Sequence, residues 1–160
     1  LFEQRKVSKY YWAICHKAPK EPQGVIKKSI AEEVKRKDRY TSIKFAKVSN
    51  HGKPAVTAYR VLASNEIGAL IEARPVTGRL HQVRVHLDLI GCAVLGDPQY
   101  GPNLVRKASS RLALHAHRIV FEHPITGKHI DINTKFPRDL KNTLGKLRLP
   151  SPGEIEAEAN

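Results

Sequence analysis

At 160 residues and 17.9 kDa the chain has the length of one domain, and 41% apolar residues are enough to build a core. Twenty-eight Lys and Arg against fifteen Asp and Glu leave +13, which argues for an acidic partner and against a purely neutral ligand. No apolar run reaches the roughly 18 residues that a membrane-spanning helix needs. Cys15 and Cys92 are too few for a disulfide framework or a four-cysteine zinc site, so a reducing compartment is expected: the cytoplasm, or the mitochondrial matrix in a eukaryote.

Along the chain, Leu1 to Arg5 reads as the interior of a helix, so the sequence has the look of a piece of a longer protein. Tyr10 to His16 is rich in strand formers, and Gly24 to Ile30 is a second short strand. Residues 32–47 are so highly charged that a loop or insertion is expected. Asn50-His51-Gly52-Lys53-Pro54 marks a turn. A strand follows through Val56, Ala58, Val61 and Leu62, pairing across Asn65–Gly68 with Ala69–Ala73. The segment Arg79 to Leu89 fits both strand alternation and helical spacing, with Gly91 placed as a helix C-cap; pattern alone leaves it open. Strand-like stretches lie within Arg111–Glu122, a turn at Pro124–Gly127, a strand at His129–Asn133, and a closing helix at Arg138–Leu147. No internal repeat is present, and the balance is a strand-rich α+β domain with few helices. Residues 1–150 form the domain; 151–160, with Glu154, Glu156 and Glu158, reads as an acidic tail without fixed structure.

Charge is unevenly spread. Residues 1–50 carry a net +8 and residues 101–150 a net +7, whereas residues 51–100 carry five bases and four acids. Two basic flanks around a nearly neutral centre suit phosphate contacts surrounding a chemical pocket; a generally basic surface is the simpler alternative.

That centre holds the most specific pattern. Arg74-Pro-Val-Thr-Gly-Arg79-Leu-His-Gln-Val-Arg84-Val-His86 runs on to Gly91-Cys-Ala-Val-Leu-Gly-Asp97-Pro-Gln-Tyr-Gly101. It resembles the signature of RluA-type pseudouridine synthases. Phe2-x-x-Arg5 with Lys9-x-Tyr11-x-Ala13, Gly52-Lys53-Pro54-Ala55-x-Thr57-x-Tyr59, and Leu114-His115-Ala116 with Phe121-x-His123-Pro124-x-Thr126-Gly127 match further family segments in order. Leu80 and Ala93 depart from the usual family residues. The resemblance implies a mostly antiparallel mixed-sheet catalytic domain, a helix over about 80–90, and conversion of uridine to pseudouridine in rRNA or tRNA without metal or redox cofactor.

The resemblance also implies site residues. Tyr11 matches the active-site tyrosine, which stacks on the base and moves a proton; its simpler alternative is a half-buried strand residue beside Trp12. Arg84 matches the arginine that pairs with the catalytic aspartate, against a surface pair with Asp88 one helical turn on. Lys53 and Arg79 are expected at phosphates or loops, His81 and His115 at hydrogen bonds around the pocket, and Lys35, Arg36 and Lys37 on RNA backbone. The family's His-Arg-Leu-Asp motif is missing from this sequence, and Asp38, Asp88, Asp97, Asp131 and Asp139 stand in the wrong context to replace it. The expectation is therefore a monomeric, RNA-acting isomerase lacking the segment with its catalytic carboxylate, inactive by itself. The alternative is a catalytically inactive RNA-binding module of the same fold.

Overall fold

The computed structural model describes residues 7–159; the Phe2-x-x-Arg5 segment and the helix expected at Leu1–Arg5 lie outside them. Six strands form one antiparallel sheet: β1 (Val7–Cys15), β2 (Gln23–Lys27), β5 (Val56–Asn65), β6 (Gly68–Pro75), β7 (Leu114–Glu122) and β8 (His129–Asn133). Their order is β2-β5-β6-β1-β7-β8. The central strand β1 pairs with β6 on one side, Tyr11 opposite Ala73, and with β7 on the other, Tyr11 opposite Ala116. The β1–β7 register slips between Tyr10 and Tyr11, so His117 has no opposite number. Such a bulge re-aims side chains beside it.

Four helices complete the α+β fold: α1 (Gln82–Leu89), α2 (Asn103–Arg106), α3 (Arg138–Lys146) and α4 (Pro152–Ala159). The core joins Ala13, Ile14 and Cys15 of β1 and Ala69, Leu70 and Ile71 of β6 to Leu87 of α1 and to Leu140 and Leu144 of α3. The ambiguous segment is helical. Its end has the geometry that Gly91 suggested: Gly91, at φ +82°, donates to Asp88, and Cys92 N–H reaches back to Leu87. That pair of bonds is the Schellman closure, which needs a left-handed residue where only glycine is unstrained.

Two expectations are corrected. Residues 32–47 are not a loop: β3 (Ile30–Arg36) and β4 (Ser42–Val48) make a two-stranded hairpin standing apart from the main sheet. High charge hid it, because a hairpin with only its root buried needs few apolar residues; Ile30 and Ala46 at that root join Ala55 and Val85 in a small separate core. Residues 152–159, expected as an unstructured tail, form α4. Ser151 caps it, its hydroxyl accepting from the Glu154 N–H at 3.4 Å and donating to the Glu154 carboxylate at 3.2 Å.

Candidate active site

Strand alternation sends Tyr11 to one face of the sheet and its neighbours Tyr10 and Trp12 to the other. On the Tyr11 side lies a cleft of about 280 Å³, lined also by Lys9, the turn Thr77–Arg79, His81, Gln82 and Arg84. Four of the expected site residues, Tyr11, Arg79, His81 and Arg84, thus meet in one place. A second cavity, about 440 Å³, shares Gly78 and Arg79 with the first and adds Lys53, His51, Gly52 and the hairpin root at Ile30–Glu32.

Gln82 builds the turn. Its side-chain oxygen accepts from the Thr77 hydroxyl at 2.7 Å and from the Arg79 N–H at 3.0 Å, and its amide donates to the Val56 carbonyl and the Thr57 hydroxyl, both at 2.9 Å. Every hydrogen-bonding group of this buried side chain has work, which fixes the turn to β5. Arg79 is pinned by its Nε–H on the Pro54 carbonyl at 2.9 Å, beside Lys53. Lys53 is held in turn by a two-bond bridge to Ile30, and Gly52 packs so closely on the Ile30 backbone that a Cβ would sit 2.3 Å from its carbonyl carbon. His81, the residue before α1, has φ +51°, a left-handed conformation that costs a non-glycine residue about 1–2 kcal/mol.

Arg84 departs from its simpler reading. It does not pair with Asp88; Nε and Nη2 form a fork on the Asp97 carboxylate at 2.9 and 2.8 Å, and Nη2 also reaches Gln99 Oε1 at 3.0 Å. The pair is nearly dry, with side-chain exposures of 10% and 1%. Nη1 makes no hydrogen bond among the described residues, so one end of the guanidinium is uncommitted in a residue that lines the cleft. Burial pushes the Asp97 carboxyl up, but the Arg84 fork and the Gln99 and Tyr100 N–H groups more than reverse it, leaving it below its ordinary value. Asp88 is raised instead, by burial and then by the negative charge of Asp97. The two acids therefore separate by mutation. Asp97→Asn strands a buried guanidinium and is expected to cost about 3–5 kcal/mol, whereas Asp88→Asn removes a repelled charge and is expected to be neutral or slightly stabilising at pH 7. Denaturant unfolding of both variants checks this; equal losses would return Arg84 to Asp88.

His86, His115 and His117 make hydrogen bonds within the fold. His86, fully buried, donates from Nε2 to the Lys28 carbonyl at 2.8 Å, so its Nδ1 accepts the Thr57 hydroxyl at 2.7 Å. His115 bonds Thr134 and His117 bonds Glu72, both away from the cleft; Trp12 stacks on His117 at 3.8 Å. His115 thus makes the expected hydrogen bond but not at the expected place. Burial lowers the pKa of His81, His86 and His115 below 6.5, helped by the Arg84 charge for His81 and by Arg111 for His115. As pH falls through 6.5 the unfolded chain takes up these protons before the folded one does, so unfolding free energy should decline until the lowered values are passed. Melts at pH 7.0 and 5.5 test it: lower stability at 5.5 is expected, and equal stability contradicts the assignment.

Lys35, Arg36 and Lys37 line neither cavity. They sit toward the far end of the hairpin, where alternation puts Lys35 and Arg36 on opposite faces of β3. At the tip, Asp38 accepts the N–H groups of Tyr40 and Thr41 at 2.9 Å each, leaving Tyr40 88% exposed with the Arg39 guanidinium 5.9 Å from its ring centre. Sequence reading also missed Gln99 and Tyr100. The signal was present in Gly96-Asp97-x-Gln99-Tyr100-Gly101, where Gly96 (φ +76°) and Gly101 (φ +90°) bracket a tight turn.

On the opposite sheet face a cavity of about 670 Å³ is lined by Tyr10, Trp12, Phe136 and residues of α4. It is larger, but the groups on its sheet wall are engaged with one another, Arg60 and His117 on Glu72 and Arg118 on Asp131. None of the residues singled out from sequence as catalytic lies in it. Among the described residues no three His, Cys, Asp or Glu side chains gather as a metal cluster, and no helix is long and apolar enough to cross a membrane.

The fold is thus an antiparallel-sheet α+β domain that brings Tyr11 and the buried Arg84 into one cleft, with Lys9 and Arg79 also on its lining. The comparisons make it specific: the family model described as RNA pseudouridylate synthase matches residues 1–89, and the chain belongs to that family, in its RluA-type branch. Ribosomal large subunit pseudouridine synthase C of Rickettsia typhi is 39% identical over 137 residues, covering 85% of this chain and 44% of that protein. Ribosomal large subunit pseudouridine synthase D of Zymomonas mobilis is 45% identical over 106 residues, covering 61% of this chain and 33% of that protein. The solved structure of human RNA Pseudouridylate Synthase Domain Containing 4 superposes with a TM-score of 0.74 at 32% identity, over 95% of this chain and 66% of that one. The chain spans less than half the length of these two bacterial relatives.

Proposed function

We propose that the chain supplies the tyrosine–arginine half of the active site of an RNA pseudouridine synthase, and that the catalytic carboxylate comes from residues upstream of Leu1. The observation that carries this is the meeting of Tyr11 and Arg84 in the 280 Å³ cleft, with one end of the guanidinium uncommitted. A uridine flipped out of its RNA would enter with Tyr11 against its ring. The N-glycosidic bond breaks, the base turns, and a carbon–carbon bond to the ribose replaces it. The carbon that joins the ribose gives up its proton and the freed ring nitrogen takes one up, so the change is an isomerisation needing no metal or redox partner. Arg84 holds the incoming carboxylate ionised and oriented, and the Tyr11 hydroxyl handles the proton.

Lys53 and Arg79 would contact phosphates next to the flipped nucleotide, and Lys35, Arg36 and Lys37 phosphates further out, so affinity comes from the backbone and choice of target from elsewhere. The names of the bacterial relatives favour ribosomal over transfer RNA as substrate. A cytoplasmic location accords with the buried free thiols Cys15 and Cys92, the latter pushed up to about 11 by burial.

The test has two arms. The 160-residue chain should bind rRNA transcripts with a slope of log K against log salt of about −3.5, as five phosphate contacts on single-stranded RNA require, and form no pseudouridine. The full-length protein should convert specific uridines in the same transcripts. Binding without conversion by the full-length protein would favour the inactive RNA-binding module, and a salt slope near zero would remove the basic footprint.

A further inference from the structure

The hairpin and Arg84 are joined by two adjacent side chains. The outer edge of β4 turns the Lys44 carbonyl and the Ala46 N–H away from β3, and no strand covers them. Gln99 and Tyr100 do so instead: the Gln99 amide donates to the Lys44 carbonyl at 3.3 Å, and the Tyr100 hydroxyl accepts from the Ala46 N–H at 2.8 Å. A two-stranded hairpin is marginal by itself, and an edge left open is worse, so these contacts hold the hairpin to the body. The same two residues hold Arg84 from the other side. Gln99 Oε1 accepts from Nη2, and the Tyr100 ring lies 4.9 Å from the guanidinium carbon. The Tyr100 hydroxyl also hydrogen-bonds Nδ1 of His81 at 2.7 Å, so the strained turn before α1 belongs to the same assembly.

We propose that Gln99 and Tyr100 are positioning residues that couple the seating of the β3–β4 hairpin to the placement of Arg84. The proposal rests on the pseudouridine synthase reading for its purpose, that RNA drawn onto the hairpin tightens the arginine that meets the catalytic carboxylate, but not for its geometry. Coupling of this kind is reciprocal: loosening the hairpin must loosen Arg84, and loosening Arg84 must loosen the hairpin.

Tyr100→Phe is the clean probe, because it keeps the ring beneath Arg84 and deletes only the hydroxyl, which touches Ala46 and His81 but not the guanidinium. Hydrogen exchange is read at two sites in the RNA-free protein, the Ala46 amide and the Arg84 Nε–H. Ala46 must speed up on any account that the hydroxyl bonds it. The coupling predicts that Arg84 Nε–H also exchanges at least about fivefold faster, and that Arg84→Ala speeds the Ala46 amide by a similar factor. An Arg84 signal unchanged in Tyr100→Phe would overturn the proposal and leave the hydroxyl as a local peg for the hairpin. Should that variant not fold, the Arg84→Ala arm decides alone, because Arg84 hydrogen-bonds Asp97 and Gln99 and not β4: a faster Ala46 amide supports the coupling and an unchanged one refutes it. Neither reading involves RNA or turnover, so failure here is distinct from failure of the enzymatic assignment. In the full-length protein with rRNA, Tyr100→Phe should both weaken binding and lower the single-turnover rate at saturating RNA. A change in binding alone would separate the hairpin from Arg84.

Discussion

Arg84→Lys in the full-length protein should lower the single-turnover rate of pseudouridine formation at least about tenfold, and Arg84→Ala about 10²–10³-fold, with RNA affinity nearly unchanged. Lysine keeps the charge but cannot hold the Asp97 carboxylate with two parallel bonds while presenting a third nitrogen to the cleft. The ammonium must choose one partner. Stability has to be followed in parallel, since removing the guanidinium from a pair this dry can cost about 3–5 kcal/mol even though Asp97 retains the Gln99 and Tyr100 N–H bonds. The control is Asp97→Asn, which disturbs the same pair from its other end. Normal rates in Arg84→Lys, with a stability loss like that of Asp97→Asn, would confine Arg84 to a structural ion pair.

Tyr11→Phe carries the second large effect. Tyr11 makes no hydrogen bond among the described residues, so its hydroxyl has no visible structural task, and the substitution should change stability by no more than about 0.5 kcal/mol. The ring, and with it stacking on a base, is retained. If the hydroxyl handles the proton that leaves carbon, its loss should slow the single-turnover rate about 10²-fold or more while RNA binding stays within a few-fold of wild type. A rate near that of the wild type would leave Tyr11 as a stacking surface only.

How much of this was legible in the sequence follows from the range of the interactions. The strands around Tyr11, Val61 and Ile71 and the closing helix at Arg138 announced themselves by local pattern, because each packs a continuous apolar face on the core. The hairpin did not, since Ile30 and Ala46 are its only well-buried apolar anchors, and Val34, Ile43 and Tyr40 further out are exposed among charged residues. For α1, Val83, Val85, Leu87 and Leu89 satisfied period two while Leu80, Val83, Leu87 and Ile90 satisfied helical spacing; the family resemblance implied the helix, and the Gly91 closure ends it through bonds that form only once the chain is folded back. The pairing of Tyr11 with Arg84 in one cleft came from motif order and not from spacing, 73 positions being beyond any local rule. What sequence could not supply was the partner of Arg84. Asp88 is the nearer acid by helical arithmetic, but a turn closed by two left-handed glycines carries Asp97 into the buried position.

The smaller cleft, and not the 670 Å³ cavity on the far face of the sheet, is the proposed seat of the target uridine. Its most direct test is photo-crosslinking of the full-length protein to an rRNA transcript carrying 4-thiouridine at the modified position, with the adduct mapped to single residues. The account predicts attachment at Tyr11 or within residues 77–84. Attachment at Trp12, Phe136 or residues 151–156 would place the base on the opposite face and contradict it.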